Sequence, residues 1–172
     1  MNILVVGYGS IGKRHIKNLK NYKNIKIKIL TKIISDKFLK KENCKIVNSI
    51  DDAIKEKPDA AFITNETNQH IDVSLKLAKN GIHLFIEKPL SDSLKKINQL
   101  EKIIKEKKII SQVGCNLRFY PCIKKIKDLI IKNQIGKHFS VQVENGSYLP
   151  DWHPNENYRK SYASNQKQGG GV

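Results

Sequence analysis

Short apolar runs alternate with longer stretches of helical spacing from the first residue to about residue 120. Runs at 2–6, 25–31, 45–47, 59–64, 82–86 and 109–114 predict strands. Spacing of three and four predicts helices near 10–22, 50–56, 68–80, 91–107 and 121–133. Ile3 to Val6 are apolar at consecutive positions, as in a strand covered on both faces. The alternation predicts an α/β fold: a doubly wound parallel sheet with helices on both sides. Several boundaries have a chemical cause. Asn80-Gly81 can end a helix with a left-handed residue, and Ser91 can cap the helix that follows Pro89-Leu90. Pro58 lacks the N–H that a continuing helix needs and so stops the segment before the 59–64 strand.

The pattern changes after Gly136. From His138 to Ser147, Phe139, Val141 and Val143 alternate with Ser140, Gln142 and Glu144, which predicts an antiparallel strand with one wet face. The chain is therefore expected to divide into a domain of residues 1–120 and the beginning of a second, α+β domain over 121–172. Its last residues are Gly169-Gly170-Gly171-Val172, and a glycine stretch beside a lone strand reads as a flexible end. The expectation is a fragment of a longer chain.

The first apolar run leads directly into Gly7-Tyr8-Gly9-Ser10-Ile11-Gly12 and then into a helix. Gly-x-Gly-x-x-Gly in that context predicts a dinucleotide pyrophosphate site. The first glycine turns the chain, the second admits the phosphates to the backbone, and the third lets helix and strand pack. The positive end of the helix then faces the anion, with Ser10 and Ile11 in its first turn. About twenty residues further on, a carboxylate usually selects a free ribose 2′-hydroxyl. Thr31-Lys32 stands there instead, which favours the 2′-phosphate of NADP over NAD, unless Lys32 is one more of many surface lysines.

Ligands of open parallel sheets bind past the carboxyl ends of the strands. Asn65, Thr67 and His70 follow the fourth strand at that edge. His70 serves there either as a ligand-edge group or as a first-turn helix residue with a structural hydrogen bond; His15 reads as packing or solvent-facing. After the fifth strand comes Glu87-Lys88-Pro89. Pro89 restricts Lys88 and aims its ammonium at the ligand edge. Beside an oxidised, positive nicotinamide, a lysine is harder to protonate and better able to take a proton from a hydroxyl.

The formal charge of +16 on 172 residues would suit an anionic partner such as nucleic acid. Only Arg14, Arg118 and Arg159 among the 32 basic residues are arginine, however, and the lysines are scattered. A phosphate-binding surface would cluster its charge and recruit the forked guanidinium, so the pattern reads as a solvated surface and argues against nucleic acid. Cys44, Cys115 and Cys122 are odd in number and lack metal-ligand spacing, which predicts reduced thiols and no metal site. With neither a leader pattern nor a membrane-length apolar run, a soluble cytoplasmic protein is expected.

The glycine motif with His15, the loop from Asn65 to His70, Glu87-Lys88-Pro89, and Gly114-Cys115-Asn116-Leu117-Arg118-Phe119 together resemble the Gfo/Idh/MocA family, the glucose-fructose oxidoreductase and inositol dehydrogenase group. The resemblance runs over essentially the whole chain. It implies a Rossmann-type domain and an NAD(P)-dependent enzyme that moves hydride to or from a hydroxyl-bearing carbon of a sugar, cyclitol or nucleotide sugar. Lys88 would be the catalytic residue, with Glu87, Asn116 and Arg118 beside the cofactor, and Asn116 and Arg118 would line the substrate side or hold the domain junction. Trp152, His153, Tyr158 and Arg159 are similar in setting to the substrate segment of family members in surface-polysaccharide biosynthesis. A homo-oligomer is implied for the full-length protein. The family's Asp-x-x-x-His segment and its large closing sheet have no counterpart here, which leaves a catalytically inactive dinucleotide-binding or sensing module as the alternative.

Overall fold

The computed structural model describes residues 1–33, 39, 44–152 and 157–170, apart from the side chains of Leu149 and Trp152. Six parallel strands form one sheet: β1 (Asn2–Val6), β2 (Lys26–Leu30), β3 (Lys45–Val47), β4 (Ala60–Ile63), β5 (His83–Ile86) and β6 (Ser111–Val113). Their order is β3-β2-β1-β4-β5-β6. The chain starts in the middle, builds outward to β3, then returns to place β4 on the other side of β1. That reversal opens a crevice at the carboxyl ends of β1 and β4. β1 is fixed on both sides, with Val6 opposite Leu30 of β2 and Ile63 of β4.

Alternate residues of each strand serve opposite layers, because side chains alternate across a sheet. Ile3 and Val5 pack with Ile27, Ile29 and the helix residues Ile16 and Leu19 on one face. Leu4 and Val6 pack with Ala61, Ile63, Leu84 and Ile86 against Ile71, Leu75 and Ala78 on the other. This double burial is why the strands read as unbroken apolar runs. The covering helices are α1 (Ser10–Leu19), α2 (Ile50–Lys55), α3 (His70–Lys79) and α4 (Ile97–Glu106). α3 follows a 3₁₀ turn at Thr67–Gln69, so the helix expected from residue 68 begins tighter than a regular one. Its end is as predicted: Gly81 has φ +77°, its N–H donates to Ala78 O, and the Ile82 N–H donates to Leu77 O.

Two expectations are corrected. The helix predicted over 91–107 begins only at Ile97, after Lys96 in a left-handed conformation. The Ser91 hydroxyl instead accepts the Ser93 N–H at 3.1 Å, a local turn that uses the oxygen before any helix starts. The stretch 138–147 is not a strand. Phe139, Val141 and Val143 are exposed, and no ladder partner lies beside them among the described residues. Alternation supplies a face for a strand, but the strand itself needs a neighbour to take its backbone hydrogen bonds.

Residues 1–114 and 162–170 belong to one compact unit, and Cys115–Ser161 forms another. The second contains a 3₁₀ turn at Asn116–Phe119, α5 (Pro121–Ile131) and α6 (Leu149–Trp152). Pro121 opens α5 at the position where a missing N–H costs nothing. No helix among the described residues is long and apolar enough to cross a membrane.

The burial of α1 gives a direct test. Ile16 is fully buried, so Ile16→Ala is expected to cost ~2–5 kcal/mol in urea unfolding. Ile131 is 69% exposed, and Ile131→Ala should stay within about 0.5 kcal/mol. Equal losses from the two changes would contradict the packing described here.

Candidate cofactor-binding and catalytic site

The turn from β1 to α1 is pressed against the end of β4. Gly7 has φ +96°, and its N–H donates to Leu30 O at 3.1 Å. A Cβ at Gly7 would lie 2.6 Å from the Asn65 nitrogen; one at Gly12 would lie 2.5 Å from Gly7 O and 2.9 Å from Thr64 Oγ1. Only glycine fits either place. At Gly9 a Cβ would meet nothing within 4 Å, so that face of the turn is open. Gly9 caps α1 without a side-chain hydrogen bond, and no acidic residue occupies the first turn. Gly9 thus offers the leading N–H groups no side-chain acceptor, and their positive end fits a pyrophosphate. Ser10 is exposed and Ile11 half-buried beside this opening.

Thr64, which the sequence does not single out, braces the candidate site. Its N–H donates to Val6 O at 2.8 Å, and its hydroxyl reaches Val6 O at 2.9 Å and Gly7 O at 3.1 Å. It locks the end of β4 to the glycine turn. The available signal was a threonine ending an apolar strand, whose hydroxyl must find an acceptor when buried.

At the end of β2, Thr31 Oγ1 accepts the Ile33 N–H at 3.1 Å, while Lys32 is exposed. Past β4, Asn65 Nδ2 donates to Gln69 Oε1 at 3.3 Å. Its Oδ1 is buried with no hydrogen-bond partner among the described residues, an acceptor at the ligand edge still lacking a donor. Thr67 and His70 are both buried. The His70 ring spans two loops, with Nδ1 2.9 Å from Pro89 O and Nε2 3.0 Å from Asn65 O. It thereby ties the loop after β4 to the loop after β5.

Lys88 follows β5 at the same edge, its side chain exposed and in no ion pair among the described residues. The Lys88–Pro89 peptide is cis. Glu87 is 9% exposed. Its Oε1 lies 2.7 Å from His15 Nε2, and its Oε2 accepts the Lys88 N–H at 3.1 Å. His15 is thus neither a plain packing residue nor solvent-facing. Its ring lies 5.2 Å from Phe62 and 5.1 Å from Phe85, centroid to centroid. Burial pushes the Glu87 carboxyl up, but the hydrogen bonds from His15 and Lys88 and the attraction of both outweigh it and hold the group below the usual carboxylate value.

Asn116 and Arg118 lie on the exposed 3₁₀ turn of the second unit. Tyr158 and Arg159 share another 3₁₀ turn, where Arg159 Nε donates to Tyr158 Oη at 3.2 Å and the guanidinium lies 5.5 Å from the ring centroid. The Trp152 side chain and His153 fall outside the described residues. Gly169 is packed rather than loose. With φ +77°, a Cβ there would lie 2.8 Å from Thr67 Cβ, and Asn68 Nδ2 donates to Lys167 O at 3.0 Å.

A hollow of about 600 Å³, lined by Lys57, Pro58, Asp59, Gly81 and His83, opens at the amino ends of β4 and β5. It lies at the wrong edge of a parallel sheet for the ligand chemistry above, which places the site at the carboxyl edge. No cluster suited to a metal ion occurs among the described residues.

Comparison with known proteins agrees with this geometry. The family described as "Oxidoreductase family, NAD-binding Rossmann fold" matches residues 1–115. The myo-inositol 2-dehydrogenase of Thermotoga maritima is 29% identical over 155 residues, which is 87% of this chain and 46% of that one. A probable dehydrogenase structure from T. maritima superposes with a TM-score of 0.70 at 29% identity, over 80% of this chain and 42% of that one. The apo scyllo-inositol dehydrogenase of Lactobacillus casei shares the fold at a TM-score of 0.73 and 24% identity, over 80% and 43% of the two chains. The chain spans just under half the length of the curated relatives it matches. With the glycine turn, the sheet order and the match over residues 1–115 in agreement, the chain belongs to the Gfo/Idh/MocA family of oxidoreductases.

Proposed function

We propose that this chain forms the cofactor half of an NAD(P)-dependent oxidoreductase acting on a hydroxyl-bearing carbon of a sugar, cyclitol or nucleotide sugar. The observation that carries it is the placement of the open glycine turn and of Lys88, which is in no ion pair among the described residues, at one carboxyl edge, on loops after β1 and β5. Backbone groups of Gly7, Gly9, Ser10, Ile11 and Gly12 hold the pyrophosphate; Thr31 and Lys32 face the adenosine ribose. Asn65, Thr67 and His70 form the wall of the crevice, and the Asn65 Oδ1 accepts a ligand donor there. When bound, the nicotinamide supplies the hydride acceptor or donor. Lys88 Nζ takes the proton of the substrate hydroxyl on oxidation and returns it on reduction. Arg118, Tyr158 and Arg159 carry the cationic and aromatic groups for sugar hydroxyls and faces, and the full-length protein assembles as a homo-oligomer.

The ribose position supports NADP over NAD. Thr31 presents no carboxylate to repel a 2′-phosphate, and Lys32 beside it is exposed. Calorimetric titration is expected to show tighter binding of NADPH than NADH, with Thr31→Asp reversing the order. Equal or tighter NADH binding by the unaltered chain would overturn the preference.

In the full-length protein, Lys88→Met is expected to lower substrate-dependent absorbance change at 340 nm by ~10²–10⁴-fold while leaving dinucleotide affinity nearly unchanged, the usual size of general acid–base assistance. A panel of cyclitols and nucleotide sugars serves as substrate. A near-normal rate in the variant would refute the role of Lys88. Dinucleotide binding with no turnover on any of the panel would favour a binding or sensing module.

A further inference from the structure

We propose that His15 and Glu87 form a positioning pair that joins the glycine-turn helix to the Lys88 backbone, with Glu87 turned inward and making no contact with the ligand. The inference rests on the proposed role of Lys88 as the proton-handling group.

A carboxylate this buried must be paired from within or from a ligand. Here both Glu87 oxygens are engaged from within, Oε1 by His15 Nε2 on α1 and Oε2 by the Lys88 N–H. The end of β6 closes the remaining side, since a Cβ on Gly114 would lie 3.0 Å from Oε1. His15 has little freedom to swing away, because it sits against Phe62 of β4 and Phe85 of β5, which lie 4.9 Å apart at their centroids. The result is a continuous path from α1 through His15 and Glu87 to the Lys88 amide. Lys88 itself keeps its ammonium exposed. A buried ion pair is weak evidence for stability, because an apolar pair of the same volume could pack as well. What apolar side chains could not do is accept a backbone N–H in a fixed direction. That requirement explains an acidic residue directly before the lysine and a glycine behind it.

Hydrogen exchange of the 172-residue chain tests the pair without relying on turnover. His15→Phe keeps the ring contacts and removes the donor; His15→Gln keeps a donor. The expected result is exchange at the Lys88 amide about tenfold faster or more in His15→Phe, the size of losing one charge-assisted hydrogen bond, with substantial recovery in His15→Gln. NADH and NADPH affinities should stay within about threefold in both, the scatter of a contact that is not made. Unchanged Lys88 exchange in His15→Phe would overturn the proposal, and so would a tenfold or greater loss of affinity in a folded variant, which would make Glu87 a ligand residue. Should His15→Phe fail to fold, Gly114→Ala, which presses on Glu87 from the other side, must show the same faster Lys88 exchange; no change there also overturns it. Lys88→Met bears on the proposed function alone, so the two ideas can fail separately.

Discussion

The contact of the Gly7 turn with the end of β4 sets the whole ligand edge. A Cβ would fit at neither Gly7 nor Gly12, and the Thr64 hydroxyl bridges the carbonyls of Val6 and Gly7. Because β1 and β4 are direct neighbours in the sheet, this contact fixes where α1 starts. It also fixes where the loop carrying Asn65 leaves. From there the order is passed on by His70 to the loop after β5 and by His15 to Glu87. Loosening the Gly7 contact would therefore disturb the anion cradle and the lysine loop together, although they lie on different connections.

Much of the fold was legible because the sheet is covered on both faces. Every strand position from Ile3 to Val6 must be apolar when each alternate residue enters a core, and the sequence shows that directly. β1 and β3 fall at the predicted residues, and Asn80-Gly81 ends α3 by the left-handed geometry that glycine allows. The glycine turn and the place of Lys88 just past β5 were legible for a related reason: both depend on local backbone, which neighbouring residues dictate. Contacts across long separations were not legible. His15 and Glu87 are 72 positions apart, and Thr64 and Gly7 are 57 apart. Nothing in local spacing links them. The 138–147 stretch failed for the opposite reason, since its pattern was clear but a strand depends on a neighbour that the pattern cannot supply.

Charge is arranged with the same separation of roles. Glu56 accepts from both Lys28 and Lys45, and the Lys28 hydrogen bond leads in drawing its carboxyl down to about 2. Glu101 and Lys105 pair along α4 at the spacing of one helical turn. The exposed pairs, Lys45–Glu56 and Glu101–Lys105, contribute little individually, because water and salt screen them. The first turn of α1, by contrast, holds no acidic residue, so the helix end retains its attraction for an anion.

Glu87 and Lys88 show how one sheet edge supports opposite demands in adjacent residues. The carboxylate is buried and satisfied from within; the ammonium is exposed and unpaired among the described residues. No ion pair joins the two side chains among the described residues. The carboxylate is hydrogen-bonded instead to His15 and to the lysine's backbone N–H. The carboxylate thereby holds the Lys88 backbone while the ammonium remains exposed at the edge.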